Sequence, residues 1–241
     1  MGRTLLPWHH VHITLPDREA AAIWYASHTP AERGQPTKRS ENLFCGPNLL
    51  QIQINAVANE PRGARIDSIG IGVPDREAAL ADWQSGGGSV IVRTATTARL
   101  NDPWGTPFEL VETAQAGFTH INIATKDPGS LLAWYEVNLG GERTVCEWDS
   151  SRLALAYDTI QIVFAKTKPE AAATAGRPID HLGWYTKGLD ATFERLSANG
   201  VSFPIPPREV GPVRLAFAED SCGIWFELLE PPNGIIAKSV A

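Results

Sequence analysis

Positive charge in excess is the first thing this chain lacks. Its 21 Lys and Arg face 27 Asp and Glu, giving a formal net charge of -6 and a pI near 5.5. Partners that select a basic face, such as nucleic acid or an anionic membrane surface, are thereby excluded. Long apolar runs are missing too: nothing approaches the roughly 20 residues that a membrane span requires. The opening "MGRTLLPWHH" has no apolar core of the signal-peptide kind. Leu6 stands where a myristoylation signal would carry Ser or Thr. Cysteine is sparse, with only Cys45, Cys146 and Cys222, an odd and scattered set that speaks for reduced thiols rather than a disulfide framework. These absences together lead us to expect a cytoplasmic globular protein.

What the chain has is repetition. "PDREA" occurs at Pro16–Ala20 and again at Pro74–Ala78, each time after an apolar strand-like run ("HHVHITL", "DSIGIGV") and before a helix-like run holding Trp24 or Trp83. Such self-similarity must be settled before any fold is assigned. Asp17 is placed to cap a helix, with acidic Glu19 in the first turn. A third unit opens at "GFTHINIAT" and has "KDPGSLLAWYEVNLGG" as its helix, with Asp127 as cap and Pro128 at the first helical position, where a missing N–H costs nothing. The fourth opens at "IDHLGWYT" and continues through "LDATFERLSANG", with Gly200 as helix stop. His10 and His120 are separated by 110 positions, as are the Trp-Tyr pairs at 24–25 and 134–135. "DPWGTPFELVE" and "DSCGIWFELLE" match in register at Asp, Gly, Phe, Glu and Leu. Each unit therefore reads as strand, helix and then about three strands. The predicted fold class is α+β, with four tandem βαβββ modules, two in an N-terminal half (1–115) and two in a C-terminal half (116–241). The stretch "TKPEAAATAGRP" is the expected flexible linker.

Four such modules with these strand residues resemble the vicinal oxygen chelate superfamily, which includes the glyoxalases, methylmalonyl-CoA epimerases, extradiol dioxygenases and bleomycin-resistance proteins. The resemblance spans nearly the whole chain. It implies two cupped half-barrel sheets with helices outside, and metal ligands on the first and last strands of each module. In the C-terminal half those positions hold His120, Gln161, His181 and Glu227. A strand shows only alternate residues to one face, so a site must gather donors from several strands. Imidazoles with carboxylate and amide oxygens suit one divalent metal ion, Fe, Mn, Co, Ni or Zn. "FELLE" is also a costly place for a carboxylate unless a cation pairs with it. In the N-terminal half the corresponding residues are His10, Gln51 and Glu109, with Ser68 where the other half has His181. His12 and Gln53 share their faces. Ser68 is a poor ligand, so this half is expected to be a degenerate, metal-free cup. His9 and His28 have no counterpart in the repeat and read as surface or loop residues.

The resemblance implies an ion that takes two neighbouring substrate oxygens and stabilises an oxyanion. One function expected is an isomerase, epimerase or lyase acting next to a carbonyl through an enolate-like intermediate, with Glu227 as ligand and base. Another is a ring-cleaving extradiol-type dioxygenase using Fe(II) on His120, His181 and Glu227. No histidine lies between His120 and His181, and Phe217 stands where those enzymes carry a tyrosine, so Tyr185 or Tyr157 would have to donate the proton. A third is a non-catalytic, drug-sequestering binder, with Trp148, Trp184 and Trp225 on strands that could line the cup, though core packing accounts for large aromatics as well. Trp225, Phe217 and Arg214 are the candidate substrate contacts, and Arg143, Arg152 and Arg208 flank the later strands. The expected partner is a small molecule with neighbouring oxygen atoms, in a monomer or a homodimer.

Overall fold

The computed structural model describes residues 5–54, 64–114, 116–167 and 171–232. Module one comprises β1 (Trp8–Leu15), α1 (Arg18–His28), β2 (Glu32–Arg33), β3 (Ser40–Cys45) and β4 (Asn48–Ile54). Module two comprises β5 (Ile66–Val73), α2 (Arg76–Ser85), β6 (Ser89–Arg93), β7 (Thr97–Asn101) and β8 (Pro107–Glu112). Module three comprises β9 (Gly117–Thr125), α3 (Pro128–Asn138), β10 (Glu142–Val145), β11 (Leu153–Tyr157) and β12 (Ile160–Lys166). Module four comprises β13 (Ile179–Tyr185), α4 (Leu189–Ala198), β14 (Ser202–Val210), β15 (Val213–Glu219) and β16 (Trp225–Glu230). The βαβββ plan read from the sequence is the plan observed. None of the described helices is long and apolar enough to cross a membrane.

Local chemistry sets the helix ends. The Asp17, Asp75 and Asp127 carboxylates accept from the backbone N–H of Ala20, Ala78 and Ser130, which satisfies one orphan donor at each N-terminus. Helix α4 has no side-chain cap; Gly188 precedes it, and Gly200 at φ 81° releases the chain after it.

The modules combine into two eight-stranded sheets, and the combination crosses the chain. One sheet runs β14-β15-β16-β13-β1-β4-β3-β2 and the other β10-β11-β12-β9-β5-β8-β7-β6. Module one therefore shares a sheet with module four, and module two with module three. Connection length accounts for this. Residues 113–116 are all that join β8 to β9, so β9 lies antiparallel beside β5 in the same sheet. The longer connections 55–65 and 167–178 carry the chain from one sheet to the other. The second of these was expected to be a flexible linker. Its residues 168–170 lie outside the described residues, but Thr174 is fully buried, donates its N–H to the Gly223 carbonyl and accepts from the Trp225 N–H through Oγ1.

Helix packing keeps the chain-order halves together where the sheets do not. The Tyr25 hydroxyl of α1 donates to Asp102 in the turn before β8, and the Tyr135 hydroxyl of α3 donates to Asp220 in the turn before β16. Each Asp also accepts two backbone N–H groups of its own turn: Trp104 and Thr106 for Asp102, Cys222 and Ile224 for Asp220. The Trp24 Nε1–H donates to the Gly86 carbonyl, and its ring meets Trp83 edge-on at 4.8 Å. The repeated Trp-Tyr and Asp-Gly-Phe motifs are thus the two ends of one clamp. Trp184, a candidate cup residue, is instead fully buried in the helix-side core with Tyr135 and Phe226.

Both sheets place a glycine under a histidine at their centre. A Cβ on Gly183 would lie 2.2 Å from the His10 ring, and one on Gly70 would lie 2.0 Å from the His120 ring. Neither ring can move into filled core. Gly183→Ala and Gly70→Ala should therefore each lower the free energy of unfolding by about 1–3 kcal/mol, read from urea denaturation.

Candidate functional site

At the centre of the first sheet β1 and β13 run antiparallel, pairing His12 with His181 and His10 with Gly183. Parallel β16 then sets Glu227 beside Gly183 and Trp225 beside His181. The side chains at these positions all face the cup. His10 Nε2 lies 3.3 Å from His181 Nε2 and 3.4 Å from Glu227 Oε2, and His181 Nε2 lies 3.7 Å from that same oxygen. Three donor atoms on three strands thus converge in a buried place.

Each ring is turned by a neighbour. Asp180 Oδ1 holds His181 Nδ1 at 2.6 Å, which aims Nε2 at the cluster in the way that carboxylates orient metal-ligating imidazoles. His9 Nδ1 holds His10 Nδ1 at 2.8 Å. Burial opposes charge on His181, but Asp180 and Glu227 outweigh it and lift the ring to about 9. Burial, with the neighbouring histidines, keeps His10 neutral. His12 stacks on His181 at 4.3 Å, and neither of its buried ring nitrogens has a hydrogen-bond partner. Burial and then His181 hold it well below the ordinary imidazole range. A neutral imidazole buried with both nitrogens idle is costly unless a further group engages it. The donor set therefore fits a divalent metal ion: His10, His181 and Glu227 could hold it, with His12 alongside.

This grouping corrects the set expected from the sequence. His120, Gln161, His181 and Glu227 do not come together, because the first two belong to the sheet of modules two and three. His10 and His12, assigned to the degenerate site, stand with His181 and Glu227. Gln51 lies opposite His12 and its amide donates to Asn42 Oδ1, while Leu49 lies opposite His10. Gln161 by contrast lies opposite His120. Equal spacing along the chain therefore does not make Gln51 the counterpart of Gln161; the two pairings differ by two residues, which preserves the face but shifts the position. His9, read as a surface or loop residue, is half-buried on β1 with its ring 4.2 Å from Tyr185. His28 ends α1, also half-buried, and faces Asp82 at 3.0 Å with its ring 5.0 Å from Trp24.

Phe217 and Trp225 extend the cup beside the histidines. The Phe217 ring meets His181 edge-on at 4.9 Å and Trp225 at 5.8 Å. Arg214 is not part of it: its guanidinium pairs with Asp190 of α4 and with Glu230, on the helix side of the sheet. Arg143 likewise pairs with Glu136.

The second sheet repeats the layout with other groups. His120 lies opposite Gly70, Asn122 opposite Ser68, and Glu109 beside Gly70. Arg152, from the loop before β11, reaches in and grips Glu109 at 2.8 and 3.1 Å. The same guanidinium donates to Asn122 Oδ1, while Asn122 Nδ2 and His120 Nε2–H also donate to Glu109 Oε2. The Trp148 ring lies 4.3 Å from His120. Around the rim is a cavity of 690 Å³ lined by Gln161, Trp148, Thr119 and Tyr157 among others. Burial opposes ionisation of Glu109, yet His120 and Arg152 outweigh it and bring the carboxyl to about 2.

Two curled sheets of paired βαβββ modules, one of them presenting imidazoles and a carboxylate to its cup, are the architecture that the resemblance to the vicinal oxygen chelate superfamily implied. Residues 117–228 match the sequence model of the Glyoxalase/Bleomycin resistance protein/Dioxygenase superfamily, and this segment is a domain of that superfamily. Among solved structures, glyoxalase I from Zea mays superposes with a TM-score of 0.74 at 16% identity, over 93% of this chain and 92% of that one. A candidate dioxygenase from Bacillus subtilis subsp. subtilis str. 168 superposes with a TM-score of 0.72 at 16% identity, over 97% and 87%. At these identities the likeness is one of fold. No curated protein sequence matches the chain.

The second cup yields a pH-dependent expectation. A carboxyl held at about 2 in the folded chain, against an ordinary 4.5, contributes stability that is complete above pH 4.5 and lost as pH falls toward 2. That contribution is on the order of 3 kcal/mol. Glu109→Gln should lower stability at pH 7 by about 3–5 kcal/mol, since the inward-facing side of the Arg152 guanidinium loses its buried counter-charge and keeps only Asp149 behind it. Urea denaturation between pH 5 and pH 2 should show a smaller loss of stability on acidification in this variant than in the parent.

Proposed function

We propose that the chain is a divalent-metal-dependent enzyme acting on a small molecule with neighbouring oxygen atoms, moving a proton next to a carbonyl as an isomerase, epimerase or lyase. The observation carrying this is the convergence of His10 Nε2, His181 Nε2 and Glu227 Oε2 in one buried cup, with the unpartnered His12 against them. A metal ion held there would act as a Lewis acid toward the paired oxygens and draw charge from the adjacent carbon. The remaining work belongs to the protein. Glu227 and His12 both face the cup; the Glu227 carboxylate is the group placed to take a proton from substrate and return it, and His12, with idle nitrogens, can hold substrate by a hydrogen bond. Asp180 fixes the His181 ring, and His9 fixes the His10 ring, so the donors need no rearrangement when substrate arrives. Phe217 and Trp225 wall one side of the cup and exclude water from the reacting groups.

A second reading, oxidative ring cleavage with Fe(II), draws support from two further features. Two histidines and one carboxylate form the donor set of non-haem iron oxygenases. Phe217 and Trp225 also offer an aromatic wall to a planar ring, with Tyr185 on the His181 strand as a hydroxyl donor.

Metal content and two assays separate these readings. His181→Ala and Glu227→Gln should abolish tight binding of Co(II) or Zn(II), and Asp180→Asn should weaken it by about 10–100-fold, measured by equilibrium dialysis. Deuterium exchange into an α-hydroxycarbonyl or thioester substrate under anaerobic conditions supports proton transfer. Oxygen consumption with catechols after Fe(II) loading, without such exchange, supports ring cleavage instead. Failure of the parent chain to bind any divalent ion would remove both.

A further inference from the structure

The two cups are built alike, and their differences fall at matched positions. Across the central strand pair, His12 and His181 of the first cup correspond to Asn122 and Ser68 of the second. Glu227 corresponds to Glu109, and His10 above Gly183 corresponds to His120 above Gly70. Both cups thus bury a carboxylate beside an imidazole. The second brings a fixed cation to it, the Arg152 guanidinium.

We infer that Arg152 is the resident cation of the second cup, its guanidinium standing where a metal ion would, so that removing it uncovers a second cation site formed by Glu109, His120, Asn122 and Gln161. The guanidinium engages both oxygens of Glu109 and the side-chain oxygen of Asn122, each of which is an acceptor that a divalent ion would also use. Gln161 stands directly opposite His120 on β12, and its Oε1 is buried with no hydrogen-bond partner, a spare oxygen donor at this place. The His120 Nε2 that now donates to Glu109 becomes a ligand in the other neutral tautomer, with Nδ1–H donating to Thr119 Oγ1 at 2.9 Å. Arg152 is held from behind by Asp149, whose carboxylate accepts from Nε at 2.8 Å, and the same loop lays Trp148 over His120. The loop thus delivers a charge and a cover together. One charge, delocalised and unable to dissociate, satisfies the cup without opening a coordination position to substrate.

The test counts metal ions. The full chain and its variants are stripped, then dialysed against Co(II) or Zn(II), and bound metal per folded chain is measured. Arg152→Ala and the milder Arg152→Gln should each bind one ion more than the parent, and adding Glu109→Gln to Arg152→Ala should return the count to the parental value. Arg152→Lys, which keeps the charge, should leave it unchanged. A parent that binds none and an Arg152→Ala variant that binds one would uphold this inference while removing the metal site proposed for the first cup. A parent that binds one and folded variants that also bind one would overturn the inference and leave that site standing. A parent that already binds two ions, the second lost on Glu109→Gln, would also overturn it. So would failure of both Arg152 variants to fold with and without added Zn(II); folding restored only by Zn(II) would support it.

Discussion

A carboxylate taken out of water must meet positive charge, and the inner faces of both sheets are organised around that demand. Glu227 is 7% exposed and Glu109 is 1% exposed, each flanked on its strand by buried apolar residues, Phe226 and Leu228 in one case and Phe108 and Leu110 in the other. Burying such a group alone costs many times what a folded domain has to spare. Glu109 is matched by a guanidinium, an amide and an imidazole, and the cup around it is complete. Among the described residues Glu227 is met by imidazoles, one of which must carry a proton to serve. The same architectural problem therefore has a closed solution in one sheet and an open one in the other. Catalysis by coordination needs the open kind.

The placement of those imidazoles rests on backbone register more than on the residues themselves. Antiparallel pairing of β1 with β13 sets His12 face to face with His181, and the adjacent His10 finds room only because its partner position is Gly183. The clamp between Tyr135 and Asp220 fixes the turn that leads into β16, and hence where Glu227 arrives. Site geometry is thus set from behind by packing on the helix side of the sheet.

Local signals were legible in the sequence, and non-local pairing was not. The four modules, the helix caps at Asp17 and Asp127 and the stop at Gly200 follow from propensities that act within a few residues. His181 and Glu227 stood out because a repeat put them on strands that must face a cup. The repeat, however, shows which residues are copies of each other, not which copies share a sheet; copies two and three look as able to pair with their chain neighbours as with any other. Connection length was the available signal, since 113–116 is too short to leave its sheet while 55–65 and 167–178 can cross. Gln51 was matched to Gln161 by spacing, and a two-residue slip between strand pairs defeats that kind of match. Arg152 sits in a loop without periodic pattern, so its reach into the second cup leaves no trace in the sequence.

The crossed arrangement of modules also governs how the chain can be divided. A cut between β8 and β9 would separate two pieces that each own one module of each sheet. Each piece would expose the edges of β1 and β5, or of β9 and β13, strands that now lie at the middle of their sheets with hydrogen-bonding groups unprotected. Such pieces would be adhesive rather than independent, and two identical copies of one piece could re-create both seams by exchange. The boundary that looks natural along the chain is therefore the one place where the molecule is least separable.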